Sequence, residues 1–250
     1  MTNIGIFDSG LGGIAVLNEL SKTSKANFYY LGDNLRVPYG PRPVEEIRKF
    51  AFEIVNFLEK FDIDYYIIAC NTISVTSLSY LRENFDKKFI PITEMAVEAA
   101  SSCKGDFLVL ATKATIESHY YKDKLEKITG AKVYEKAALD LVKLIEDGNF
   151  SGKELDDHLK DYLNIANDKK IENILLGCTH YPLIKESIKK NLTYPANIID
   201  PAVHLAEKIK TDDRQNRVHI YMTRKSEKTE NLVENIMECD YQLEYIGELS

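Results

Sequence analysis

Cys70 and Cys178 are the residues whose setting points first to chemistry. Each closes a short apolar run, in YYIIACNTIS (65–74) and NILLGCTHYP (173–182), and each is followed by small hydrogen-bonding groups. Asn71 and Thr72 follow the first, and Thr179 and His180 follow the second. A cysteine after an apolar strand is most often a small core residue, yet two in matching segments are harder to explain that way. A thiol near a helix N-terminus or a histidine gains thiolate character. Two such thiols on opposite sides of a small cleft could take the α-proton from one face of an amino acid and return it to the other, inverting the stereocentre. A thiol suits both roles, being a base as thiolate and an acid as thiol near pH ~7–8.5. The carbanion-like transition state would then need preorganised donors around the α-carboxylate.

Other constellations compete with this reading. In GIFDSGLGGIAV, Gly10, Gly12 and Ala15 fit a G-x-G-x-x-A dinucleotide turn after a strand, and Asp33 follows near the place of a ribose-binding acid. Asp8 opposes it, because a carboxylate there would face the pyrophosphate that a helix N-terminus attracts. A tight βα turn alone would also account for the glycines, and Asp8 with Ser9 suits an ammonium group or a proton relay. Cys70, Cys178 and His180 could instead hold zinc with a water, although Cys-x-His is an unusual spacing and no C-x-x-C is present. In YYLGDNLRVPYGPRP, Asp33 and Arg36 read as a surface ion pair on a proline-braced loop, and Tyr39 and Gly40 could offer backbone N–H groups to a carboxylate.

The elements that must position these groups alternate regularly. Strands are predicted at 4–7, 27–31, 65–69, 89–92, 107–111, 132–135, 173–176, 197–199 and 218–222, with amphipathic helices between them. In VEEIRKFAFEIVNFLEKF, residues Ile47, Phe50, Ile54, Phe57, Leu58 and Phe61 recur at helical spacing. This alternation predicts α/β architecture with mostly parallel sheet and active groups beyond the strand ends. The cysteine segments, and the looser likeness of IGIFDSG to FLVLATKAT, predict two related halves around a shared cleft. The expected division is 1–95 with about 211–250, and 96–210.

A net charge of −7, with acids spread among the lysines, argues against general nucleic-acid binding. No signal peptide and no membrane-length apolar run is read, so a cytoplasmic protein with free thiols is expected.

GIFDSGLGG, GDNLRVPYG, ACNTIS and GCTHYPLI, in this order, resemble the glutamate racemases of the aspartate/glutamate racemase superfamily across roughly residues 4–206. The resemblance implies two pseudosymmetric parallel-sheet α/β domains with the active site between them, no cofactor or metal, and L- and D-glutamate as substrates, the alternative being a sister racemase of aspartate or another small acidic amino acid. It also implies D-glutamate supply for peptidoglycan, and a homodimer. By position, Cys70 would deprotonate D-glutamate with help from Asp8. Cys178 would deprotonate L-glutamate with help from His180, and Glu146 falls where the family has a further acid. Substrate contacts are implied for Asp8, Ser9, Tyr39, Gly40, Asn71, Thr72, Thr115, Thr179 and His180. Ile73, Ala138 and Leu139 depart from the usual pattern, as does the lack of Pro-Gly in ITEMAVEAA. The resemblance implies no activation by a peptidoglycan precursor, since the N-terminal extension that accompanies it in some relatives is not found here.

Overall fold

Apolar runs such as FLVLA and NILLG have no polar face, so both faces must be covered by helices. The computed structural model describes residues 1–249. Its strands are β1 (Asn3–Asp8), β2 (Lys25–Gly32), β3 (Tyr65–Ile68), β4 (Lys88–Pro91), β5 (Phe107–Ala111), β6 (Val133–Ala137), β7 (Asn173–Gly177), β8 (Asn197–Ile199), β9 (Asp212–Met222) and β10 (Gln242–Tyr245). They form two sheets, ordered β10-β9-β2-β1-β3-β4 and β6-β5-β7-β8. Every pairing is parallel. The expected architecture of two parallel-sheet α/β units is the one observed.

Helices α1 (Gly13–Thr23), α2 (Val44–Leu58), α3 (Asn71–Asn84) and α4 (Ile92–Ser101) alternate with the early strands. The middle of the chain carries α5 (Lys113–Glu117), α6 (Tyr120–Thr129), α7 (Leu141–Glu146), α8 (Lys153–Lys169) and α9 (Lys185–Asn191). Then come α10 (Pro201–Lys208) and α11 (Glu227–Ile236). Helix α2 buries Ile47, Phe50, Ile54 and Leu58 as its periodicity requires, and Glu45 and Glu46 complement the positive end of its dipole. Among the described residues, no helix is long and apolar enough to cross a membrane.

The two units share helices as well as a cleft. Ile92 at the start of α4 joins the core beside β1, whereas Ala96, Val97 and Ala100 pack beneath β5 and β7. Helix α10 follows β8 of the second sheet, yet it sets Ala202, Leu205 and Ala206 against Ile14 and Leu17 of α1. Its entry is fixed locally: Asp200 accepts a hydrogen bond from the Ala202 amide at 3.0 Å, and Pro201 starts the helix.

The loop after β2 differs from its expected form. Asp33 is fully buried and is no surface ion pair. Its carboxylate accepts from Thr223 Oγ1 at 2.9 Å, from the Arg36 guanidinium and from the Tyr39 hydroxyl. Arg36 also bonds Glu53 and lies 3.9 Å over the Phe50 ring. An i,i+3 Asp–Arg pair thus serves as a buried clamp that shapes the segment running to Tyr39. Breaking a buried pair strands a charge, whereas an exposed pair contributes little. Asp33→Ala is therefore expected to cost about 3–5 kcal/mol in urea unfolding. Glu45→Ala, which breaks the exposed pair with Arg48, should cost under about 1 kcal/mol. Equal effects would return Asp33 to the surface reading.

Candidate active site

Parallel register sets the level of each strand-end group. Phe7 pairs with Ile68, so Asp8 and Ser9 emerge beside Ala69 and Cys70. In the other sheet Ala111 pairs with Gly177, so Thr112 emerges beside Cys178. Cys70 occupies the N-cap of α3, and Cys178 precedes a short 3-10 turn over Tyr181–Ile184.

At the glycine turn the two units meet closely. A Cβ on Gly10 would lie 2.6 Å from Glu146 Oε1, and one on Gly12 would lie 2.4 Å from Thr179 Oγ1 and 2.6 Å from His180 Nδ1. These glycines admit side chains of the second unit, and the room a pyrophosphate would need is filled. Glu146 Oε1 accepts the Leu11 amide at 3.1 Å at the entrance to α1, the position an anion favours. The same oxygen lies 2.7 Å from His180 Nε2. Asp8 Oδ1 accepts the Gly10 amide at 2.9 Å, and Asp8 Oδ2 accepts the Thr179 hydroxyl at 3.1 Å. Tyr30 holds the turn from below through the Gly10 carbonyl at 2.7 Å.

Both thiols face one small cavity. Its walls are Ser9, Pro38, Tyr39, Gly40, Cys70, Asn71, Thr72, Thr112, Val142, Cys178, Thr179 and His180. It holds about 20 Å³ of water-accessible space, room for about one water. An amino acid needs more, so the cavity must widen to admit one. A neighbouring apolar hollow of about 210 Å³ shares Pro38, Gly40, Thr112 and Val142, and the largely exposed Leu139 stands at its rim. A larger hollow, about 490 Å³ beside β4, contains neither thiol.

Asp8 and Glu146 stand behind the wall, in contact with Thr179 and His180 respectively. Thr115 is buried and bonds Thr112 Oγ1 at 3.0 Å, and Thr112 in turn lies 2.9 Å from Thr72 Oγ1. Thr112 is thus the wall residue and Thr115 its support. The sequence reading missed Thr112, although it is the first polar residue after β5 and the strand-end rule would have found it. Gly40 carries the loop against Thr112, where a Cβ would come within 2.9 Å, and its carbonyl accepts the Ala114 amide at 3.2 Å.

The electrostatics differ on the two sides. Cys70 lies 3.6 Å from Ser9 Oγ, and burial followed by the Asp8 charge pushes its thiol up to about 12. The Ile73 amide and Ser9 offset part of that rise. Burial also raises Asp8, against the pull of His180 and the Gly10 and Thr179 hydrogen bonds. Cys178 Sγ lies 3.7 Å from His180 Nδ1. Burial opposes charge on His180, but hydrogen bonds to Cys178 and Glu146, with their negative charge, hold it well above the ordinary histidine range. With Nδ1 toward sulfur and Nε2 toward carboxylate, an imidazolium donates both ways. The site therefore keeps a proton on Cys70 and a cation beside Cys178, an arrangement suited to moving one proton across the cavity.

Gly12→Ala should lower turnover at least ~100-fold while leaving the secondary structure intact, because its Cβ displaces Thr179 and His180 and a misplacement of about 1 Å is that costly. Unchanged turnover would mean that the turn yields freely. Asp8→Asn removes the negative charge that resists Cys70 ionisation. Iodoacetamide labelling of Cys70, followed by peptide mass spectrometry, should then rise at lower pH than in the wild type. A shift to higher pH, or none, would contradict the assigned cause.

Comparison with known proteins shows the family. Residues 8–209 match the family described as Asp/Glu/Hydantoin racemase. The chain is similar to a glutamate racemase of Persephonella marina, 39% identical over 250 residues, covering 97% of this chain and 96% of the relative. In structure it resembles glutamate racemase from Francisella tularensis in complex with D-glutamate (TM-score 0.88, 31% identity, 98% of this chain and 97% of that one). It also resembles the RacE1 isoform of Bacillus anthracis glutamate racemase (TM-score 0.90, 30% identity, 98% and 97%). With the family match spanning most of its length, this chain belongs to the Asp/Glu/hydantoin racemases and is an amino-acid racemase.

Proposed function

We propose that the chain interconverts L- and D-glutamate without a cofactor, using Cys70 and Cys178 as opposed acid and base, and that the D-glutamate supplies peptidoglycan. One observation carries the mechanism: two thiols from two different sheets face a single, nearly closed cavity, each with its own polar support. The glutamate assignment draws on the similar proteins, which are glutamate racemases, one of them solved with D-glutamate.

With L-glutamate bound, the Cys178 thiolate takes the α-proton, and the electron pair left on Cα delocalises into the α-carboxylate. The Cys70 thiol then delivers its proton to the opposite face, giving D-glutamate and leaving Cys70 as thiolate and Cys178 as thiol. D-glutamate runs the same steps backward. Asp8 assists Cys70 and His180 assists Cys178, with Glu146 fixing the imidazole. Ser9, the Tyr39 and Gly40 backbone, Asn71, Thr72, Thr112 and Thr179 surround the carboxylates. The units 1–95 with about 211–250, and 96–210, move apart at the cavity to exchange ligand. Because the enantiomers have equal free energy in water, kcat/KM is the same in both directions at every pH.

Cys70→Ala and Cys178→Ala should each reduce racemisation by at least ~1,000-fold, within the range a positioned acid or base supplies, with unchanged circular dichroism. The assay is optical rotation on metal-free protein with no added cofactor. Substantial turnover by either folded variant would exclude the two-thiol scheme.

A further inference from the structure

We infer that Tyr121 is a positioning residue that orients the Asn71 side chain, so that both amide N–H donors face the cavity and bind a carboxylate oxygen of the substrate. This rests on the proposed glutamate reading and adds a residue outside the sequence motifs. Tyr121 lies on α6 beneath the second sheet, and Asn71 opens α3 in the first unit, so the contact crosses between them. The Tyr121 hydroxyl donates to Asn71 Oδ1. Both side chains are nearly buried, at 1% and 3% exposure, and Asn71 also lines the cavity.

The orientation follows from counting donors and acceptors. Among the described residues, the Tyr121 hydroxyl bonds only Asn71, and no protein acceptor takes the Asn71 amino group. If the amide were turned over, its amino group would point at the Tyr121 oxygen. The hydroxyl proton would then have no acceptor, and the amide oxygen would confront an anionic substrate. A buried donor without a partner costs its full desolvation, so the observed sense is favoured at both ends. Burial holds the Tyr121 ionisation well above its ordinary range, which keeps the hydroxyl protonated as a donor throughout the working pH range.

The ring itself is fixed. Tyr121 packs with Ala111, Leu125 and Leu175, meets the Tyr120 ring edge-on at 5.6 Å, and lies close enough to Gly177 that a Cβ there would stand 3.2 Å from its ring. Asn71 thereby becomes a neutral, two-donor group of fixed orientation beside Cys70. Such a group binds the carboxylate and strengthens its hold as charge moves onto that carboxylate in the transition state.

The test is a double-mutant cycle on the full-length protein, read as kcat/KM for glutamate. Tyr121→Phe keeps the packed ring and removes only the hydroxyl, and should lower kcat/KM about tenfold. In an Asn71→Ala background the same change should matter less than about twofold, because the group it orients is gone. Additive effects in the two backgrounds, or no effect of Tyr121→Phe in the wild type, would overturn the inference. Asn71→Asp gives an independent check. It still accepts from Tyr121 but turns a negative oxygen toward the cavity, so it should fall at least ~10-fold below Asn71→Ala. Equal or higher activity would show that donors are not what the site needs. A wild-type chain that leaves glutamate unchanged would overturn the proposed function and this inference together. An active wild type with an additive cycle would overturn this inference alone.

Discussion

The Glu146 carboxylate is shared between the two halves of the molecule, and the site takes its shape from that sharing. One oxygen accepts the Leu11 amide at the entrance to α1 and also the His180 imidazole. It can reach both because Gly10 and Gly12 have no side chains in the way. Once Glu146 is seated, His180 is held by its far nitrogen and its near nitrogen is turned toward Cys178. Thr179, next to His180, is brought onto Asp8, and Asp8 is braced by the Gly10 amide. A loop that first suggests phosphate binding is here the seat of an internal anion, and the helix dipole that would hold a ligand holds the second unit instead.

Closure has an electrostatic consequence. With almost no water in the cavity, charges are poorly solvated, so each ionisation depends on its immediate neighbours. Cys70 caps α3 and receives the Ile73 amide, yet burial and Asp8 outweigh that help and keep it protonated. Cys178 faces a histidine whose cationic form Glu146 supports. The halves are alike in strand order around each cysteine but unlike in chemistry, with the Asp8 carboxylate acting on one thiol and the His180 imidazolium beside the other.

Much of this was legible in the sequence because it follows from local pattern. Strand–helix alternation fixes parallel sheet, parallel sheet collects chemistry at strand ends, and Cys70 and Cys178 stand at two such ends. What was not legible depends on burial and long-range packing. Asp33 and Arg36 read as an exposed i,i+3 pair, since nothing in GDNLRVPYG announces that Phe50, Glu53 and Thr223 will enclose them. Helix α10 looks like the end of the second unit, but its apolar face fits α1. Glu146 and His180 lie on different elements, so only the folded chain shows one carboxylate serving both His180 and Leu11. Tyr121 has no motif at all, and its contact with Asn71 comes from where α6 happens to meet α3.

The central claim is that the two thiols act from opposite faces, each carrying its own proton. The most direct measurement follows L-glutamate in heavy water at early conversion, with deuterium at Cα measured separately in recovered substrate and in product. The account predicts D-glutamate fully deuterated at Cα and recovered L-glutamate still carrying protium, because the proton taken by Cys178 can return only to the face it left. Protium retained in the product, or equal label in both enantiomers from the start, would contradict it and point to a single base reaching both faces.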